Sequence, residues 1–143
     1  MKPSLIEIFV GNKGVLRPGD LQWMTAGRGI VHSEMPGWNR TRGLQLWVNL
    51  AAEFKMVEPA YQELSCDQIP EANENGVKVK VIAGQSMGVN SQVRTRTPTT
   101  YLDFKFQPGP LKVTSYLQSN FSHMLFHKVT EMQKVYNLYR FRC

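Results

Sequence analysis

Residues 18–36 read PGDLQWMTAGRGIVHSEMP, and this stretch decides how the rest of the chain is interpreted. Pro18 fixes the first central position of a turn, and Gly19 can supply the positive φ that a type II turn needs next. Gly27 and Gly29 predict a second bend, because glycine permits tight turns and close backbone packing. The stretch therefore predicts a β-rich fold, with one short strand between the two bends and another after the second.

The second of these strands carries two good metal ligands, His32 and Glu34. Side chains two residues apart on a strand point to the same face, so both can reach one ion, while Ser33 faces the other way. An imidazole with a carboxylate suits a borderline or hard divalent metal, and non-haem iron centres use this mixture. The alternative interpretation is an ordinary strand histidine beside a solvated glutamate.

From Glu7 to Gly109 the chain closely resembles the pirin family of the cupin superfamily. The resemblance is carried by five blocks in order: residues 18–36, GLQLWVNL at 43–50, KMVEPAYQEL at 55–64, GVKVKVIAG at 76–84 and TRTPTTYLDFKFQPG at 95–109. It implies an all-β, partial cupin fold of the double-stranded β-helix or jelly-roll type. Residues 1–64 would be the later part of an N-terminal cupin domain, and 65–109 a linker with the opening strands of a C-terminal one. Residues 110–143 form a tail outside the family pattern.

The resemblance also implies a cofactor, because pirins hold one iron in the N-terminal barrel with three histidines and one glutamate. His32 and Glu34 match the second pair of those ligands. The first pair belongs to a His-Pro-His motif that lies upstream in the family, and this sequence contains no such motif. We therefore expect an incomplete iron site in a shortened, pirin-like chain.

Three functions are compatible with this resemblance. The first is an intracellular protein-interaction or transcription-cofactor module in the nucleus and cytoplasm, with transcription-factor complexes or signalling proteins as partners. The second is an iron-dependent quercetin 2,3-dioxygenase, and the third is a truncated isoform without function. Open barrel edges would invite pairing between two copies, so a homo-oligomer is also expected.

Composition is that of an ordinary globular chain, with 143 residues of which 42% are hydrophobic and 20% charged. Formal charge sums to +3 over residues 1–43, −1 over 44–109 and +4 over 110–143. Basic ends can attract anionic partners non-specifically, or can be a solvated surface. We expect neither direct sequence-specific nucleic-acid binding nor a membrane role, since no apolar stretch is long enough to span a bilayer.

Alternation of apolar and polar residues predicts strands at 44–50, 77–81 and 101–106. Gln45, on one face of the first of these, can orient a substrate or serve as an ordinary polar residue of the barrel. Residues 53–75 are rich in proline, charges and amides and predict a linker with little regular structure. Arg94 and Arg96 could hold an anion, although exposed strand arginines are the simpler interpretation.

The tail predicts an amphipathic C-terminal helix, because its apolar residues recur at spacings of three and four: Leu125, Val129, Met132, Tyr136 and Tyr139. Such a helix could dock on an open barrel edge or a partner. The alternative is that this tail is non-native sequence from an alternative transcript or an unspliced segment. His123 and His127, spaced i, i+4, could chelate a metal by themselves, or could lie on an amphipathic surface.

Overall fold

The computed structural model describes residues 4–8, 13–36 and 43–107. The regular secondary structure in these ranges consists of strands and two short 3₁₀ turns, Ala52–Phe54 and Cys66–Gln68. The strands in chain order are β1 Ser4–Ile8, β2 Lys13–Leu16, β3 Leu21–Thr25, β4 His32–Pro36, β5 Ala60–Leu64, β6 Glu71–Glu74, β7 Val77–Ala83, β8 Gln85–Ser86, β9 Val89–Asn90 and β10 Tyr101–Phe106. The predicted all-β class is confirmed for these ranges. No helix within them is long and apolar enough to cross a bilayer.

The chain divides into two compact units, Met1–Gln68 and Ile69–Cys143. In the first unit, a three-stranded antiparallel sheet has the order β2-β1-β4, and β3 pairs with β5 in a separate antiparallel ladder. The strands predicted on either side of the second bend are present as β3 and β4. The predicted domain boundaries after residues 64 and 109 stay predictions.

The turn predicted at Pro18 and Gly19 is confirmed. Gly19 has a φ of 92°, and the Asp20 amide donates to the Arg17 carbonyl at 3.0 Å, which closes the turn. The Asp20 carboxylate accepts the Arg17 amide at 2.7 Å and the Cys66 amide at 2.9 Å. Asp20 thus joins the start of β3 to the residues that follow β5, and so helps to hold the β3–β5 ladder in register.

The second unit is built on an antiparallel sheet of order β10-β7-β6, whose apolar face forms its core. Val77, Val79 and Val81 are fully buried, and Phe104 on β10 lies opposite Val79. Burial of one valine side chain contributes about 1.5–3 kcal/mol, so this row is a main source of the unit's stability. The strict alternation in the sequence reflects one buried and one solvated face.

Asn75 and Gly76 form the turn between β6 and β7. Their φ angles are 48° and 78°, and positive values at both central positions define the type I′ turn, which matches the twist of a two-residue hairpin. An Asn-Gly pair flanked by β-rich sequence is a strong hairpin signal, and it is absent from the sequence-based predictions given for this segment.

The strand predicted at 44–50 is wrong, because residues 43–50 have no ladder partner in the described part of the chain. The alternation itself is real: Leu46 and Val48 are half-buried, whereas Gln45 and Trp47 are exposed. Alternation reports two faces of extended backbone, but a strand also requires a neighbour that accepts its hydrogen bonds.

The linker predicted at 53–75 is also wrong, because β5 and β6 lie within it. Pro59 and Pro70 suggested irregular backbone, yet each stands directly before a strand, where a missing amide proton removes no ladder bond. Leu64 on β5 is buried, and Tyr61 on the same strand is half-buried. The helix predicted over Leu125 to Tyr139 lies outside the described residues and stays a prediction.

Candidate metal centre

A glycine turn positions β4, the strand that carries His32 and Glu34. Gly27 has a φ of 53°, and a Cβ at this position would lie 2.1 Å from the carbonyl oxygen of Val57. The Arg28 amide donates to that same oxygen at 2.9 Å, and the Gly29 amide closes the bend onto the Ala26 carbonyl at 2.9 Å. Only glycine fits a backbone that approaches this closely, so Gly27 ties the entry of β4 to residue 57.

His32 and Glu34 lie on the same side of β4, as predicted from their spacing. His32 Nε2 is 3.7 Å from Glu34 Oε1, and the two side chains are 27% and 49% exposed. Donors held about 2.1 Å from one ion in tetrahedral geometry lie about 3.4 Å apart. A side-chain movement of a few tenths of an ångström therefore lets both atoms bind one cation, and both remain open to solvent from which it would enter.

No third histidine, cysteine, aspartate or glutamate joins this pair among residues 4–8, 13–36 and 43–107. His123 and His127 lie outside these ranges, and their role as alternative ligands stays a prediction. The assignment of His32 and Glu34 as metal ligands likewise stays a prediction. Within the described chain, the donor set consists of one imidazole and one carboxylate.

A second pair with the same spacing lies on β5, and the sequence reasoning missed it. The Tyr61 hydroxyl donates to Glu63 Oε2 at 2.8 Å. Burial raises the pKa of Tyr61, and the neighbouring Glu63 carboxylate raises that pKa further. Tyr61 therefore stays protonated at neutral pH, and its hydroxyl hydrogen is already donated to the Glu63 carboxylate. The period-two rule that identified His32 and Glu34 applies here too, but reading the segment as a linker concealed it.

The remaining candidate residues are solvent-exposed. Gln45 is exposed in the stretch that has no ladder partner in the described chain, and its role in orienting a substrate stays a prediction. Arg94 and Arg96 are exposed between β9 and β10 and belong to no strand, which corrects the prediction of strand arginines. The prediction that these two arginines hold an anion stays a prediction.

Comparison of the sequence with known proteins identifies one family. Residues 8–48 match the family model described as Pirin. The chain is 63% identical over 101 residues to Pirin-like protein 2 of Arabidopsis thaliana, covering 71% of this chain and 32% of that protein. It is 59% identical over 104 residues to Pirin of Homo sapiens, covering 72% and 36%. The chain thus spans about a third of the length of these curated relatives.

Solved structures with the same backbone arrangement are also similar in sequence. GK1651 from Geobacillus kaustophilus matches with a TM-score of 0.67 and 38% identity, covering 76% of this chain and 44% of that one. A quercetin 2,3-dioxygenase from Acinetobacter baumannii matches with a TM-score of 0.59 and 29% identity, covering 70% and 38%. These neighbours are cupin-fold proteins, which confirms the predicted cupin architecture.

Proposed function

Because this chain belongs to the pirin family, we propose that it is a protein-binding module whose His32 and Glu34 hold a divalent metal ion, iron being the expected one. Its partners would be transcription-factor complexes or signalling proteins in the nucleus and cytoplasm. The observation that carries the protein-binding part is the exposure of Trp47. The adjacent His32 and Glu34 donors carry the metal-binding part.

Trp47 is 82% exposed, within residues 43–50. Leu46, Val48 and Leu50 are half-buried, whereas Leu44 is exposed. Trp47 is exposed together with Asn49, which accepts a hydrogen bond from Lys55 Nζ at 2.7 Å. Leu44, three residues before Trp47, is 54% exposed as well, and tryptophan is enriched among the residues that dominate binding energy at protein interfaces. This surface supports a protein partner.

The protein-binding part is tested by Trp47→Ser. A central aromatic residue contributes about 2 kcal/mol or more to binding, which is about 30-fold in affinity. Quantitative mass spectrometry of proteins retained from nuclear extract should show a loss of that order. Val15→Ser, at a 40% exposed valine on β2, is the matched control and should retain the wild-type set. Equal retention by Trp47→Ser and the wild type contradicts the proposal.

The metal-binding part needs its own measurement. Isothermal titration with Co²⁺ should give a saturable heat for the wild type, a loss of at least tenfold in affinity for His32→Gln, and no loss for Ser33→Ala. Ser33 is the proper control because it lies on the same strand but faces away from the two donors. Identical titrations for all three proteins contradict a site at His32 and Glu34.

A second function, oxidative cleavage of quercetin by dioxygen, is favoured by the structural likeness to a quercetin 2,3-dioxygenase. Bound iron would supply electron exchange with dioxygen, and His32 and Glu34 would fix the ion's position through their side chains. Quercetin consumption should then be measurable with the iron-loaded wild type and abolished by His32→Ala. Turnover in neither protein leaves the protein-binding function as the better account.

A further inference from the structure

Strand β4 lies at the edge of its sheet. Its ladder with β1 runs from His32 to Pro36, and among the strands of residues 4–8, 13–36 and 43–107 it pairs with β1 alone. An edge strand presents backbone donors and acceptors that can pair with another chain. The sequence along this edge indicates which chain that is.

The edge is complementary to a second copy of itself. When two copies of β4 run antiparallel with Ser33 opposite Ser33, each His32 lies opposite the Glu34 of the other copy. In the same register, each Val31 lies opposite Met35 of the other copy. These two residues are large, apolar and unusually exposed, at 66% and 59%. One pairing therefore matches imidazole with carboxylate on one face and covers exposed apolar surface on the other.

We propose that two copies pair through β4, and that the metal site is completed by ligands from both: two imidazoles and two carboxylates. This inference rests on the metal-binding part of the proposed function. The arrangement is isologous, since the same patch is used by both copies, and it closes at two subunits. It also supplies what each chain lacks within its described residues, namely a third and a fourth ligand.

The distances support a single shared ion. Directly opposite residues in an antiparallel pair have Cβ atoms about 4.5–5.5 Å apart, close enough for an imidazole and a carboxylate to reach one cation. Within each chain, Nε2 and Oε1 are already 3.7 Å apart. Two carboxylates balance the charge of a divalent cation. All four donors lie on one face of the continuous six-stranded sheet, which the two three-stranded sheets would form.

The register is specific. A shift of one residue would place His32 opposite Met35 of the other copy, which removes both the ligand set and the apolar contact. Register in a sheet is fixed where a one-residue slip exchanges the faces of every side chain. A five-residue strand alone gives a weak contact, so the metal is expected to drive the pairing. At a free metal concentration 100 times its Kd, the dimerisation constant should rise about 100-fold.

The test uses the full chain with Co²⁺ as the probe, and combines sedimentation equilibrium with metal stoichiometry. We expect one Co²⁺ per two chains, bound to a dimer. Two double variants then test the register: Val31→Lys with Met35→Lys, and Val31→Lys with Met35→Glu. In the proposed pairing the first variant opposes lysine with lysine, and the second opposes lysine with glutamate. Positions 31 and 35 are about 13 Å apart within one strand, so the two variants differ mainly across the interface.

The first variant should therefore be monomeric with Co²⁺ present, and the second dimeric. One Co²⁺ bound per monomer would overturn the shared site while leaving the metal-binding part of the proposed function intact. A dimer formed equally by both double variants would overturn the β4 register. Absence of Co²⁺ binding to the wild type would refute the proposed metal site, and the shared site with it.

Discussion

Replacement of Gly27 by alanine tests how β4, the strand that carries His32 and Glu34, is held in place. The added Cβ would lie 2.1 Å from the Val57 carbonyl oxygen, whereas Cβ contacts below 3.0 Å are essentially never found, so the two segments must separate by about 0.9 Å. That movement disrupts the 2.9 Å hydrogen bond from Arg28 to Val57, worth about 1 kcal/mol. Alanine at a φ of 53° adds about 1–2 kcal/mol of backbone strain. The expected loss is about 2–3 kcal/mol.

Urea unfolding followed by tryptophan fluorescence measures this loss. All three tryptophans of the sequence precede residue 69, and Trp23 and Trp47 are described in the unit Met1–Gln68, so the emission reports the unit that contains Gly27. With a slope of about 1 kcal/mol per molar urea, the unfolding midpoint of Gly27→Ala should fall by about 2–3 M. If the wild-type unit is stable by less than this loss, the variant would show no folded baseline.

Gly27→Asn separates the two causes. Asparagine tolerates positive φ, so it relieves the backbone strain. It also carries a Cβ, so the steric clash with the Val57 carbonyl oxygen remains. We expect it to recover about 1–2 kcal/mol at most and to remain clearly destabilised. If Gly27→Asn unfolds at the wild-type midpoint, backbone strain is the whole effect, and the close approach to Val57 does not constrain β4.

Three further predictions concern other parts of the molecule. Val79→Ala in the core of the second unit should lower its free energy of unfolding by about 2–3 kcal/mol, measured by circular dichroism in urea; a loss below 0.5 kcal/mol would contradict its full burial. The pKa of Glu71 is lowered mainly by its hydrogen bond to Lys78, so the carboxylate stabilises the fold above its usual pKa of 4.5. That contribution is lost as the pH falls through the lowered pKa of Glu71. Glu71→Gln should therefore be less stable than the wild type by about 0.2–1 kcal/mol at neutral pH, and this difference should disappear at low pH. Tyr61 should ionise well above pH 10 in an absorbance titration at alkaline pH, and Glu63→Gln should move its pKa back toward 10.

Local sequence rules predicted the parts of the fold that depend on neighbouring residues. Pro18 and Gly19 required a type II turn, and the period of two placed His32 and Glu34 on one face, 3.7 Å apart. The same period predicted β7, where alternate valines are fully buried. In each case the deciding residues lie within a few positions of one another.

The errors arose where distant partners decide the outcome. Residues 43–50 alternate like a strand but have no ladder partner in the described chain, whereas residues 60–64 form β5 because β3 lies alongside them. Proline and amide content cannot reveal a partner 40 positions earlier. The Tyr61 and Glu63 pair was missed for this reason, since its recognition required first knowing that the segment is a strand.

The two-residue turn at Asn75 and Gly76 also bears on how the chain acquires its structure. A hairpin closed by so short a loop forms in about 1–10 μs, and β10 then joins β7 from a nearby part of the chain. By contrast, the β3–β5 ladder must close over the intervening residues 26–59, at a greater entropic cost. During refolding, amide protection should therefore develop first at Val77 to Ala83 and later at Leu21 to Thr25. Strand β4, which bears His32 and Glu34, lies within the segment over which this slower ladder closes.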